Sequence, residues 1–268
     1  MAKLNFAVIG NPINHSLSPA IHKYFASQFN LNDFVYEKIE TTQDDFDKTI
    51  ESFFSCGGKG LNITIPFKVH AFNICDLLDT SAIQCGSVNT LVSESNKIKG
   101  FNTDGIGFLD DLTQKGIEYN NSNILIIGAG GSAMSIISSV LQKSKESNIS
   151  IFNRTKINAE NLMKFFNNNK LNLHAIDTCY DLVVNTTPMS MSEEKITLPN
   201  RLITSKTICY DLFYSNKRTS FQSWAYDNGA ERCHDGLGML IQQAKHSFKI
   251  WNNLTPEISG LEDKLRKL

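Results

Sequence analysis

No apolar stretch of this 268-residue chain approaches the roughly 20 residues that a membrane-crossing helix needs. Excess charge of one sign is also missing: 26 basic side chains face 27 acidic ones, which leaves no basic footprint for nucleic acid and no expected membrane partner. Six cysteines stand at 56, 75, 85, 179, 209 and 233, but no pair forms C-x-x-C and no His/Cys group has zinc-ligand spacing. The expectation is no metal, and reduced thiols in a cytoplasmic protein. The N-terminal apolar run breaks at Gly10 and Pro12, too soon for a signal-peptide core. Internal repeats are absent. The rest of the composition is that of a globular protein, 41% hydrophobic and 20% charged, enough to bury a core without staples.

Short apolar runs alternate with helical stripes. Phe6 to Ile9 reads as a buried strand, and Ser18-Pro19 as a helix start with serine as N-cap and proline at the first helical position. Ile21, Phe25 and Phe29 follow at helical spacing, then Phe34 to Ile39 alternates as a strand. Phe46, Ile50, Phe53 and Phe54 share a helix face that Gly57-Gly58 ends. Leu61 to Ile65 and Ser87 to Val92 read as strands, with Pro66 opening a helix between them. After residue 120 the alternation becomes regular. Strands at 124–127, 149–152, 182–184 and 207–212 alternate with helices at 132–143 and 156–167, which implies βαβ units and a parallel sheet. The stretch 238–251 closes the pattern as a helix.

The run ILIIGAGGSA follows a strand and opens a helix, and holds Gly128, Gly130 and Ala133 as G-x-G-x-x-A. Gly128 permits the tight turn, Gly130 lets backbone approach a pyrophosphate, and Ala133 allows close helix–sheet packing. Ala129, Gly131 and Ser132 would present amides to the phosphates at the positive helix end. The next strand ends in Asn153-Arg154-Thr155, where an NAD site places a carboxylate on the ribose 2′-hydroxyl. A guanidinium there suits a 2′-phosphate, so the sequence points to NADP.

Three clusters of small polar side chains lie at strand ends outside this unit: residues 14–19, 62–68 and 100–105. Their serine, threonine and asparagine groups suit a ligand rich in hydroxyls. Lys68 and Asp104 are the candidate acid/base pair. Lysine can deliver a proton to the alkoxide that develops when a carbonyl is reduced, and an aspartate nearby would orient it.

The blocks HSLSP (15–19), GLNITIPFK (60–68), GSVNT (86–90), NTDG (102–105), GAGGSA (128–133), NRT (153–155) and DGLGMLIQQA (235–244), in this order, resemble the shikimate dehydrogenase family over nearly the whole chain. The resemblance implies an α/β fold with an N-terminal substrate domain (1–103, completed by 239–268) and a Rossmann-like NADP-binding domain (104–238). It implies NADP-linked interconversion of 3-dehydroshikimate and shikimate, in aromatic amino acid biosynthesis, by a monomer or homodimer. By the matching motifs, Ser16, Ser18 and Tyr214 would meet the substrate carboxylate. Asn62, Thr64, Asn89, Gln243 and Asp104 would hold ring hydroxyls, with Lys68 as acid/base. Leu212, Gly236 and Met239 would fall near the nicotinamide. The family's N-A-T-S-x-G is replaced by Asn185-Thr186-Thr187-Pro188-Met189-Ser190, which bears on the nicotinamide side alone. Three alternatives stand: a quinate or dual quinate/shikimate dehydrogenase, a non-catalytic NADP- or shikimate-binding regulator, and a generic Rossmann reductase for another polyol or keto acid.

Overall fold

Two six-stranded sheets carry the chain, and each gathers its own helices. The computed structural model describes residues 4–175, 178–191, 197–199 and 201–268. The chain divides into two compact units: residues up to Gly107 with Leu240–Leu268, and Phe108–Met239.

The first unit holds strands β1 (Leu4–Gly10), β2 (Phe34–Glu40), β3 (Gly60–Ile63), β4 (Leu77–Leu78), β5 (Thr90–Glu94) and β6 (Lys97–Phe101). Their order is β2-β1-β3-β5-β6-β4, with β5 antiparallel to both neighbours. Helices α1 (Ser18–Gln28), α2 (Phe46–Ser55), α3 (Lys68–Ile74) and α4 (Thr80–Cys85) connect the strands, and α5 (Asp104–Gln114) leaves the sheet after β6. Strand alternation sends Ala7, Ile9, Leu61 and Ile63 into a core with Phe46, Ile50, Phe67 and Ala71. The opposite face is aromatic. Phe6 stacks on Phe34 at 4.7 Å and on Trp251 at 4.9 Å, while Phe25 meets Phe248 edge-on at 5.7 Å. Phe248 and Trp251 come from the long helix near the C-terminus.

His22 of α1 is wholly buried on this aromatic face, stacked on Tyr36 at 4.4 Å and 7°. Neither ring nitrogen finds a hydrogen-bond partner among the described residues. Burial pushes its pKa down from 6.5 to about 3, and the nearby Asn62 side chain offsets only part of that push. The ring therefore stays neutral in the folded protein at a pH where the unfolded chain takes up a proton. This penalty is absent above pH 6.5 and grows as pH falls towards 3. Between pH 6.5 and 4 it should remove about 3 kcal/mol of stability. Urea unfolding at the two pH values should show a flatter pH dependence for His22→Phe than for the parent chain. Equal slopes would assign the acid sensitivity to other groups.

The second unit holds β7 (Asn123–Ile127), β8 (Asn148–Phe152), β9 (Leu171–Leu173), β10 (Leu182–Asn185), β11 (Ile208–Asp211) and β12 (Arg232–His234). All pairings are parallel, in the order β12-β11-β10-β7-β8-β9. This is the 3-2-1-4-5-6 arrangement of a doubly wound dinucleotide fold. Helices α6 (Gly131–Lys143), α7 (Lys156–Phe166) and α8 (Ser220–Asp227) serve it, followed by α9 (Leu237–Asn252) and α10 (Leu261–Leu265). The division between units falls inside α5 and again inside α9. Central strand β7 is buried from Ile124 to Ile127, as a strand covered on both faces should be.

Asp211, at the end of β11, is buried and accepts hydrogen bonds from Ser190 Oγ (2.6 Å), Thr219 Oγ1 (2.6 Å) and Asn185 Nδ2 (2.9 Å). Thr219 in turn caps α8 in a reciprocal capping box with Gln222. One carboxylate thus fixes a strand end, the 185–190 turn and a helix start. Asp211→Ala leaves several buried donors unpaired and should destabilise the protein by about 3 kcal/mol or more, read as a lower urea midpoint.

Three sequence expectations shift. Leu17, not Ser18, is the N-cap of α1, and Ser18 is its first helical residue with no side-chain cap bond. Its hydroxyl instead engages Ser16 Oγ at 3.2 Å. Pro66 does not open α3: Phe67 N donates to Thr64 O in a turn, and the helix starts at Lys68. The strand placed at 87–92 runs from Thr90 to Glu94 because Ser87 and Asn89 are drawn into side-chain contacts, described below.

Candidate active site

Lys68 is the first residue of α3 and Asp104 the first of α5. Their charges meet at 2.7 Å from Lys68 Nζ to Asp104 Oδ2, with side chains 14% and 6% exposed. Asp104 lies at a helix N-terminus, where the backbone dipole favours a carboxylate. Its amide donates to Asn102 Oδ1 at 3.0 Å, and Asn102 is anchored through its own amide group to Ser87 O and Oγ, both at 2.9 Å. The other carboxylate oxygen accepts from Asn89 Nδ2 at 2.9 Å. Asn89 comes from the loop before β5, and the backbone of that loop is tied to Lys68 by Val88 N donating to Lys68 O at 2.9 Å. Two segments distant in sequence are therefore locked around one ion pair.

The same Asn89 amide reaches Thr103 Oγ1 (2.8 Å) and Gln243 Oε1 (3.2 Å). Gly107 allows this, because a Cβ there would lie 2.6 Å from the Gln243 backbone nitrogen. Asn62, buried on β3, joins through Thr90 Oγ1 (3.1 Å) and Ser247 Oγ (3.0 Å). Lys68, Asp104, Asn89, Gln243 and Asn62 thus form one connected polar set. Ser16 and Ser18 sit on the loop after β1 and the start of α1. Thr64 is half-buried one residue beyond β3, its amide bonded to Ile9 O at 2.9 Å. Tyr214 belongs to the other unit, half-buried after β11 with its ring 6.1 Å from that of Phe213. Thr90, Ser247 and Tyr36 were not singled out from sequence. Ser247 carried a usable signal, since it lies four residues after Gln243 and therefore on the same face of α9.

In the second unit Gly128 closes β7 at φ +115°, a conformation that favours glycine, and a Cβ there would come within 2.4 Å of Thr186 Oγ1. Helix α6 then starts at Gly131 from an exposed Gly130 with no side-chain cap, and Ala129, Gly131 and Ser132 are half-buried. Ala133 is fully buried. Asn153, Arg154 and Thr155 follow the end of β8, the strand paired to β7. Asn153 Nδ2 donates to Thr155 O at 2.8 Å, and Arg154 is exposed. A glycine turn and a helix N-terminus with no capping side chain, next to a strand ending in arginine, fit a dinucleotide bearing an extra phosphate. Leu212 follows β11 with its carbonyl closely packed on Gly236, and Met239 is buried in this unit's core. The replaced motif at 185–190 is well anchored: Thr187 N and Oγ1 both donate to Asn185 Oδ1, and Ser190 to Asp211. Among the described residues no His, Cys, Asp or Glu group is arranged to hold a metal ion, and no helix is long and apolar enough to cross a membrane.

Family models match the chain in three segments. They are the shikimate dehydrogenase substrate binding domain over residues 8–91, shikimate / quinate 5-dehydrogenase over 111–199, and the shikimate 5′-dehydrogenase C-terminal domain over 236–266. A shikimate dehydrogenase (NADP(+)) of Shewanella woodyi is 39% identical over 267 residues, covering 98% of this chain and 97% of the relative. The crystal structure of shikimate dehydrogenase from Aquifex aeolicus superposes with a TM-score of 0.88 at 32% identity, covering 98% of each chain. The Thermus thermophilus shikimate 5-dehydrogenase, solved in complex with NADP(H) and shikimate, gives 0.85 at 30% identity, covering 98% of this chain and 99% of that one. Likeness of this extent, spanning both sheets and the C-terminal helices, means that the chain belongs to the shikimate dehydrogenase family.

Proposed function

We propose that this chain interconverts 3-dehydroshikimate and shikimate with NADP, and that Lys68 is its proton donor and acceptor. The observation that carries the reading is the Lys68–Asp104 ion pair at 2.7 Å, set among the hydroxyl and amide groups of Asn89, Thr103 and Gln243. When bound, the cofactor would supply the hydride as NADPH or accept it as NADP+. In the reducing direction, Lys68 gives one proton to the oxygen that gains negative charge and is reprotonated from solvent; oxidation runs the reverse. Asp104 keeps the ammonium aimed and, with Asn89, Asn62, Thr64 and Gln243, offers donors and acceptors to ring hydroxyls. Ser16, Ser18 and Tyr214 are assigned to the substrate carboxylate. The amides at 129–132 take the pyrophosphate, and Arg154, with Asn153 and Thr155, takes the 2′-phosphate. Leu212, Gly236 and Met239 are assigned to the nicotinamide side.

None of the six cysteines is in a disulfide, which supports a reducing compartment and a cytoplasmic location. A monomer or homodimer is the expected assembly. The test is steady-state turnover of shikimate and quinate, each with NADP and with NAD. Shikimate with NADP should give the highest kcat/KM. Dominant oxidation of quinate with NAD would reassign the substrate and the cofactor, and binding of both ligands without turnover would make the chain a regulator.

A further inference from the structure

Tyr36 has no place in the chemistry above, yet it lies against that site. It sits on edge strand β2, is 2% exposed, and donates from its hydroxyl to Asn62 Oδ1 at 2.7 Å. Burial pushes the pKa of this phenol well above its ordinary value. The ring has little freedom, stacked flat on His22 and flanked by Trp251 at 6.3 Å. One buried oxygen on an edge strand therefore holds a residue of β3. The amide nitrogen of Asn62 donates to Asn89 O, Thr90 Oγ1 and Ser247 Oγ, so Tyr36 holds the other end of that side chain.

We propose that Tyr36 is a positioning residue for the substrate, its hydroxyl fixing the side-chain amide of Asn62 so that the ring hydroxyls are met in one orientation. This rests on the assignment of Asn62 to shikimate. Burial keeps the phenol protonated, hence a permanent donor, and the bond to Asn62 fixes which end of that amide is its acceptor. A tyrosine in this position acts on recognition and not on proton transfer, since its hydroxyl meets Asn62 and is separated from Lys68 and Asp104 by further hydrogen bonds through Asn89.

Tyr36→Phe removes the oxygen and keeps the stacked ring. The expected result is a KM for shikimate about tenfold higher, equivalent to about 1.4 kcal/mol, with kcat changed less than about threefold and KM for NADP unaltered. KM does not depend on how much folded enzyme is present, so partial unfolding of the variant does not blur the comparison. A packing role alone would lower the thermal midpoint and leave KM for shikimate in place, and that result overturns the proposal. A second measurement uses Asn62→Ala: adding Tyr36→Phe to it should raise KM by less than the two single effects combined, and full additivity also overturns the proposal. Absence of shikimate turnover in the unaltered chain would instead overturn the assignment on which this rests.

Discussion

Lys68→Ala should lower kcat for shikimate oxidation by about 100-fold or more, the usual scale of acid/base assistance, while shikimate affinity changes little. The argument is geometric. Lys68 Nζ is held at 2.7 Å by Asp104 and is 14% exposed, so its position is fixed while water can still restore its proton. Alanine removes the donor and leaves the carboxylate with Asn89 Nδ2 and, through the backbone, the Asn102 anchor. Binding groups stay in place, and the loss falls on the chemical step. Equilibrium binding of shikimate to the variant, measured beside turnover, separates the two. Undiminished turnover would remove Lys68 from the mechanism.

Arg154→Ala is the second large effect. Arg154 is exposed at the end of β8, beside a glycine turn whose helix has no side-chain cap. A guanidinium on a phosphate makes charge-assisted hydrogen bonds worth about 1.5–3 kcal/mol, so KM for NADP should rise roughly 10- to 100-fold. KM for NAD, which lacks the phosphate, should move less than about threefold. Equal changes for both cofactors would place the arginine elsewhere in recognition.

Much of this was legible in the residues because the polar clusters sit where strands end. The blocks at 15–19, 62–68 and 100–105 follow or close β1, β3 and β6, and the glycine turn follows β7. Local spacing could not place Lys68 against Asp104, 36 residues away, and only the order of motifs brought them together. Helix α5 was missed because DGIGFLDDLTQ carries two glycines that weaken its helical signal, yet Gly107 is what lets Gln243 approach. The β5–β6 hairpin was half read. Its first strand shows in the apolar run before the turn, where Ser95 and Asn96 take positive φ, but KIKGF is too short to declare itself a strand. Tyr36 stayed hidden for a different reason. Alternation in FVYEKIE shows that one side faces inward, but not that a phenol there will meet an asparagine 26 residues on.

Trp251 donates from its indole nitrogen to Leu91 O, a contact spanning 160 residues, and with Phe248 it covers the aromatic face of the first sheet. A ribosome adding about 5 to 20 residues each second needs roughly ten to thirty seconds to make that stretch. During this interval Phe6, Phe34 and Tyr36 have left the tunnel while their lid is still unmade. A segment made well before Phe248 and Trp251 is thus sealed only after them, and ribosome-bound lengths ending before residue 240 should be the more chaperone-dependent forms.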